Sequence, residues 1–177
     1  MEIVRLHDLH FTPFLSAESI AQRVKELAAQ LSRELEHEQP LFIGILNGVF
    51  VFASDLLKQM HIDCEITFVK LSSHDGTTSS GKVRTSIGLN DEITGRNVIV
   101  LEDIIDTGKT VSQFTQELKK LNPESIRVVT LLFKPDALEY DLEIDYIGFK
   151  VPNKFLVGYG LDYDGLGRNL KDIYVKC

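Results

Sequence analysis

Short, almost wholly apolar runs alternate with amphipathic stretches along this chain, and no other feature restricts its fold as tightly. LFIGIL (41–46) is closed by Asn47-Gly48 and followed by VFVFASDLLKQM, whose pattern reads as a helix. CEITFV (64–69), VIVL (98–101) and SIRVVTLLF (125–133) are further runs of strand length, and residues 110–121 read as a helix between the last two. Strands this apolar have no face to show to water, so they belong in a mostly parallel sheet covered by helices on both sides. Two shorter strands are expected at 145–149 and 155–157. Ahead of them all, Ile20, Val24, Leu27, Leu31 and Leu35 recur at helical spacing over 16–37, with Ser16 as N-cap and Leu15 placed to staple against Ile20. The class is α/β, with an open, mostly parallel central sheet of about five strands flanked by helices.

That architecture has a geometric consequence. In open parallel sheets, ligands bind beyond the carboxyl ends of the strands. Asn47-Gly48, the segment after Val69, residues 102–110 and Lys134 each follow an expected strand, so parallel strands would bring all four to one edge. The polar, glycine-bearing LSSHDGTTSSGKVRT (71–85) reads either as a surface connection or as a lid over that edge.

Composition removes several function classes. The 177 residues, 44% of them hydrophobic, suit one globular domain over 1–177. No apolar run approaches the roughly 20 residues of a bilayer span. The start, MEIVRLHDLHF, lacks the features of a signal peptide, so a cytoplasmic protein is expected. The two cysteines, Cys64 and Cys177, have no zinc-binding spacing, and His7, His10, His37 and His61 show none either. A net charge of −7 without a basic stripe argues against nucleic acid, though not against small anions held by backbone donors and a metal.

The chemistry concentrates in NVIVLEDIIDTGKTV (97–111). Asp106-Thr107-Gly108-Lys109-Thr110 leads into a helix, so free amides, two hydroxyls and a lysine can surround a phosphate monoester. Gly108-Lys109-Thr110 echoes the end of a Walker loop, but that loop needs a glycine where Asp103 stands, five residues earlier. No GxGxxG follows the first strand, and GLGRNL (165–170) lacks a strand-to-helix setting, so a dinucleotide fold is disfavoured. Just before the phosphate loop, Glu102 and Asp103 stand where the vicinal hydroxyls of an attached pentose would lie. Carboxylates accept from such hydroxyls and can hold magnesium.

VIVLEDIIDTGKT resembles the phosphoribosyl-pyrophosphate signature of the type I phosphoribosyltransferases, and its IIDTGKT half is closest to their hypoxanthine (6-oxopurine) branch. LFIGILNGVFVFASDLL is similar to the branch's pyrophosphate loop, LSSHDGTTSSGKVR to its mobile loop, and KVPNKFLVGYGLDYDGLGRNL to its base-binding segment. Together these cover most of the chain after residue 41, in the family's order.

The resemblance implies a magnesium-dependent purine-salvage transferase that joins hypoxanthine, and guanine as well, to phosphoribosyl pyrophosphate. It implies a core of about 16–148 and a small hood from about 1–15 and 150–177. Glu102 and Asp103 then bind the ribose hydroxyls, Thr107, Gly108, Lys109 and Thr110 bind the 5′-phosphate, and Asp106 is the general base. Asn47, Gly48 and Arg168 face pyrophosphate. Lys134 donates to the exocyclic oxygen of the purine, Phe155 stacks on it, and Leu156 and Asp162 line its edge. The metal is held by Glu102, Asp103 and Asp162 together with substrate oxygens. Ser73 and His74 cover the site, and the protein assembles as a dimer or tetramer.

Two positions depart from the family. The pyrophosphate loop commonly reads Leu-Lys-Gly with a cis peptide, whereas Leu46-Asn47-Gly48 lacks the positive charge. The mobile loop has Ser73-His74 in place of Ser-Tyr. Transfer to xanthine or a pyrimidine, and a nucleotide-sensing RNA-binding regulator on the same fold, are the competing readings. Lys134 and Phe155 favour an oxopurine over the first, and the acidic charge disfavours the second.

Overall fold

The computed structural model describes residues 2–72 and 84–177. Among the described residues there are ten strands, three α-helices and one 3-10 turn (Pro135–Ala137), and the strands form two sheets. The larger sheet contains β3 (Leu41–Leu46), β4 (Glu65–Ser72), β5 (Arg84–Ile87), β6 (Asn97–Ile105), β7 (Ser125–Phe133) and β8 (Tyr146–Lys150), ordered β5-β4-β3-β6-β7-β8. From β4 to β8 every pairing is parallel, giving the five-stranded parallel sheet read from the sequence. A sixth strand, β5, adds antiparallel to the edge. It was hidden in the sequence because 71–85 reads as one polar, glycine-bearing segment, while Leu71 and Ser72 finish β4 and Arg84 opens β5.

The side-chain period of two explains why both faces of this sheet are apolar. Ile99 and Leu101 of β6 face one way with Phe42 of β3 and Val129 and Leu131 of β7. They pack under α1 (Ala17–Glu34) and α2 (Phe50–Lys58), which contribute Ile20, Val24, Leu27, Leu31, Phe52 and Leu56. Val98, Val100, Ile43 and Val128 face the other way, against Val111, Phe114 and Leu118 of α3 (Lys109–Lys119). Helix α1 starts where the sequence places it, with Ser16 Oγ accepting from the Ser19 amide at 3.1 Å.

The smaller sheet has the order β1-β2-β10-β9, all antiparallel. It joins β1 (Val4–Leu6) and β2 (Leu9–Leu15) from one end of the chain to β9 (Leu156–Val157) and β10 (Ile173–Lys176) from the other, around Phe11, Val157 and Tyr174. No helix among the described residues is long and apolar enough to cross a membrane.

Candidate active site

The carboxyl ends of β3, β6 and β7 lie on one edge because those strands are parallel, so Asn47-Gly48, the acidic pair and Lys134 converge there as the topology requires. One boundary differs from the sequence reading. Strand β6 does not stop at Leu101 but continues to Ile105, which puts Glu102 and Asp103 on the strand itself, Glu102 in register with Thr130 of β7. Pairing with β7 holds two carboxylates in a ladder that local propensity would have ended, since acidic residues are poor strand formers.

Beyond β6 the chain turns through Asp106, Thr107 and Gly108 into α3. Gly108 has φ 83, a left-handed conformation that favours glycine, and a Cβ there would press on Leu138. The Thr107 carbonyl accepts from the amides of Glu139 (3.0 Å) and Tyr140 (3.1 Å), and the Thr107 hydroxyl accepts from the Lys109 amide at 3.3 Å. Among the described residues, the amides of Thr107, Gly108 and Thr110 meet no protein acceptor. These residues line a hollow of about 110 Å³ with Glu102 and Asp106, a cradle of backbone donors at a helix start that suits a phosphate group.

Glu102 is only 7% exposed. Burial, and then the neighbouring charge of Asp103, push its carboxyl well above the ordinary range. Burial also raises Asp103, opposed by hydrogen bonds from Glu102 and from the Ile104 amide, and by the charge of Arg168. A desolvated acidic pair of this kind gains from a partner that brings hydroxyl donors or positive charge.

At the end of β7, the buried Lys134 places its Nζ 3.1 Å from Asp106 Oδ2, although the Asp106 side chain is 51% exposed. An ammonium donor and a carboxylate acceptor therefore stand side by side at the mouth of the edge.

The pyrophosphate-loop candidate carries a cis peptide between Leu46 and Asn47. Gly48 lies so close to the acidic pair that a Cβ there would overlap the Asp103 carboxylate. Gly160, from the C-terminal segment, meets the Gly48 carbonyl with the same lack of room. Arg168 does not reach out as an isolated fork. Its Nη1 donates to the Gly160 carbonyl at 2.7 Å, and its Nη2 pairs with Asp162 Oδ1 at 3.1 Å. Asp162 Oδ2 also accepts from the Gly165 amide at 2.8 Å. The sequence reading missed the approach of Gly160 to Gly48, for which only the glycine itself is a signal.

Among the described residues, no three His, Cys, Asp or Glu side chains gather closely enough to enclose a metal. The donor set, one acidic pair and Asp162 apart from it, fits a hard cation that takes most of its oxygens from substrate and water. Phe155 is 44% exposed, with Phe11 and Tyr163 beside it, and Leu156 is buried in β9, where it pairs with Val175. Ser73 and His74 lie outside the described residues.

The fold that carries this edge, with its acidic pair on a central parallel strand, is shared with known proteins. Residues 12–164 match the phosphoribosyl transferase domain, and the chain belongs to that family. It is 41% identical to the hypoxanthine-guanine phosphoribosyltransferase of Bacillus subtilis, over 96% of this chain and 94% of the relative, and 41% identical to that of Streptococcus mutans, over 91% and 94%. It is also 43% identical to a bifunctional TilS/HprT protein of Listeria monocytogenes, of which it spans 24%. In structure it is similar to a hypoxanthine phosphoribosyltransferase of Staphylococcus aureus, with a TM-score of 0.90 at 39% identity over 97% of this chain and 93% of the other. The Trypanosoma cruzi hypoxanthine phosphoribosyltransferase, in complex with the product IMP, gives 0.88 at 31% identity over 97% of each.

Proposed function

We propose that this protein transfers the 5-phosphoribosyl group from phosphoribosyl pyrophosphate to hypoxanthine, and also to guanine, releasing pyrophosphate. The relatives' names and the site chemistry both support it. The observation that carries the choice of base is the pairing of Lys134 Nζ with Asp106 Oδ2 at 3.1 Å. On a 6-oxopurine, the exocyclic oxygen and the nearest nitrogen of the five-membered ring lie on one edge. An ammonium opposite the oxygen and a carboxylate opposite the ring N–H match that edge, donor to acceptor at each point. Adenine would set its amino group against the ammonium, donor against donor.

In the reaction a purine ring nitrogen bonds to the anomeric carbon as the bond from that carbon to pyrophosphate breaks. Asp106 takes the ring proton, and Lys134 stabilises charge on the purine oxygen. Amides of Thr107, Gly108 and Thr110, with the Lys109 side chain, hold the 5′-phosphate, and Glu102 and Asp103 accept from the ribose hydroxyls. Fixed in this way, the sugar presents its reacting carbon to the base without a search for orientation. Asn47, Gly48 and Arg168 face the leaving group, Phe155 stacks on the base, and Leu156 and Asp162 line its edge. Magnesium, when held by Glu102, Asp103, Asp162 and substrate oxygens, supplies positive charge against the departing polyanion. A cytoplasmic setting accompanies this reading, and so does a dimer or tetramer, the assembly being carried by the motif resemblance alone.

The test is a panel of free bases with phosphoribosyl pyrophosphate and magnesium. Hypoxanthine and guanine should give nucleotide, with adenine lower by roughly 10⁴. Product from adenine alone would defeat the role of Lys134, and no product from any base would defeat the transferase.

A further inference from the structure

The N-terminal hairpin reaches the purine end of the site directly at Phe11 and, from its turn, through Tyr163. The turn between β1 and β2 holds His7, at φ 51, and Asp8. Asp8 Oδ1 accepts a hydrogen bond from the Tyr163 hydroxyl at 2.7 Å. His7 Nε2 donates to the Asp164 carbonyl at 3.1 Å, and its ring meets Tyr163 edge-on, with centroids 5.6 Å apart at 74°.

The backbone of Tyr163 is held as well. Its amide donates to Leu166 at 2.8 Å and its carbonyl accepts from Leu166 at 3.1 Å, closing a two-residue turn. Asp164 and Gly165 occupy that turn with φ 47 and 86, the signature of a type I′ hairpin. The tyrosine is thus fixed at its hydroxyl, its ring and its main chain.

The next ring along is Phe155, nearly perpendicular to Tyr163 at 5.7 Å and 84°, with Phe11 tilted beside it at 6.1 Å. Phe155 is 44% exposed, so burial alone does not set its orientation. A ring already oriented by its neighbours loses less freedom when a planar ligand stacks on it.

We propose that Tyr163 is a positioning residue for the purine: gripped by Asp8 and the His7 turn, it sets the Phe155 ring for stacking. The hairpin at 4–15 thereby tunes base affinity without touching the base. This rests on the 6-oxopurine reading above.

The test is KM for hypoxanthine and for phosphoribosyl pyrophosphate, with thermal melting, in wild type, Tyr163→Phe, Tyr163→Leu, Asp8→Ala, Tyr163→Phe combined with Asp8→Ala, Phe155→Leu, and Tyr163→Leu placed on Phe155→Leu. Tyr163→Leu should raise the hypoxanthine KM about five- to tenfold, the scale of one lost aromatic pair with its hydrogen bond, and leave the phosphoribosyl pyrophosphate KM within about twofold. Tyr163→Phe and Asp8→Ala should each give about two- to threefold, and their combination no more, because both delete the same bond. On the Phe155→Leu background, Tyr163→Leu should add nothing. Equal rises in both KM values that track a fall in melting temperature would overturn the proposal, as would a full Tyr163→Leu effect without Phe155. Should Tyr163→Leu fail to fold, Tyr163→Phe and Asp8→Ala decide on the same KM split. A wild-type protein that makes no nucleotide defeats the functional reading and this proposal together, whereas an active wild type indifferent to these substitutions defeats this proposal alone.

Discussion

Gly48 shows how a single residue supports the account. Its Cα sits against the Asp103 carboxylate with no space for a methyl group. Gly48→Ala should displace Asp103 and lower kcat/KM for phosphoribosyl pyrophosphate about 10²-fold, with an unchanged circular dichroism spectrum, because misplacement on the order of 1 Å has that effect. Unchanged kinetics would mean that the acid does not touch the sugar. Asp106→Asn removes a proton acceptor while leaving the amide cradle in place. It should slow turnover by about 10²–10⁴ and keep phosphoribosyl pyrophosphate affinity within about twofold, separable by single-turnover kinetics and titration. At this scale the sequence conveyed residue types well: an acidic pair, a phosphate loop and one lysine after a strand. It could not convey the pairing of Lys134 with Asp106, which are 28 residues apart and meet only through the sheet, or the turning inward of Arg168 onto Asp162 and Gly160, which depends on the fold of an irregular C-terminal turn that carries no periodic pattern.

The elements were legible where periodicity was long. Helix α1 and strands β3 and β7 fall where their apolar patterns put them, whereas β6 outruns its pattern because β7 pairs its acidic end. Strand β5 was invisible, as its four residues carry no apolar alternation of their own. How α1 is fastened to the sheet was equally hidden. The Tyr146 hydroxyl of β8 donates to Glu34 near the end of α1, and burial followed by that bond raises Tyr146 from 10.0 to about 12. A phenol favoured in its protonated form by the fold contributes stability that is present below about pH 10 and lost as pH climbs towards about 12. Tyr146→Phe should cost about 1 kcal/mol at neutral pH, or about 2–4 °C in Tm. The difference between wild type and variant should shrink across that alkaline window. A pH-independent difference would assign the effect to packing instead.

Taken whole, the molecule sets two sheets around one edge, and the alternation of strand and helix announces the larger of them. The smaller sheet was less legible, because it joins residues at opposite ends of the chain, β2 with β10. If phosphoribosyl pyrophosphate and magnesium bind the folded chain alone, then at about 100 times Kd they should add about 2.7 kcal/mol of stability, raising Tm by about 5–10 °C in a melting scan. No shift would mean that the edge does not take this ligand. The central claim, that main-chain amides between β6 and α3 grip the sugar phosphate while Glu102 and Asp103 reach the pentose, is tested most directly by a crystal structure with IMP. Phosphate oxygens should lie at hydrogen-bond distance, about 2.7–3.2 Å, from the amides of Thr107, Gly108 and Thr110, with both carboxylates on the ribose hydroxyls. A nucleotide bound elsewhere, with that turn vacant and the two acids facing solvent, would contradict it.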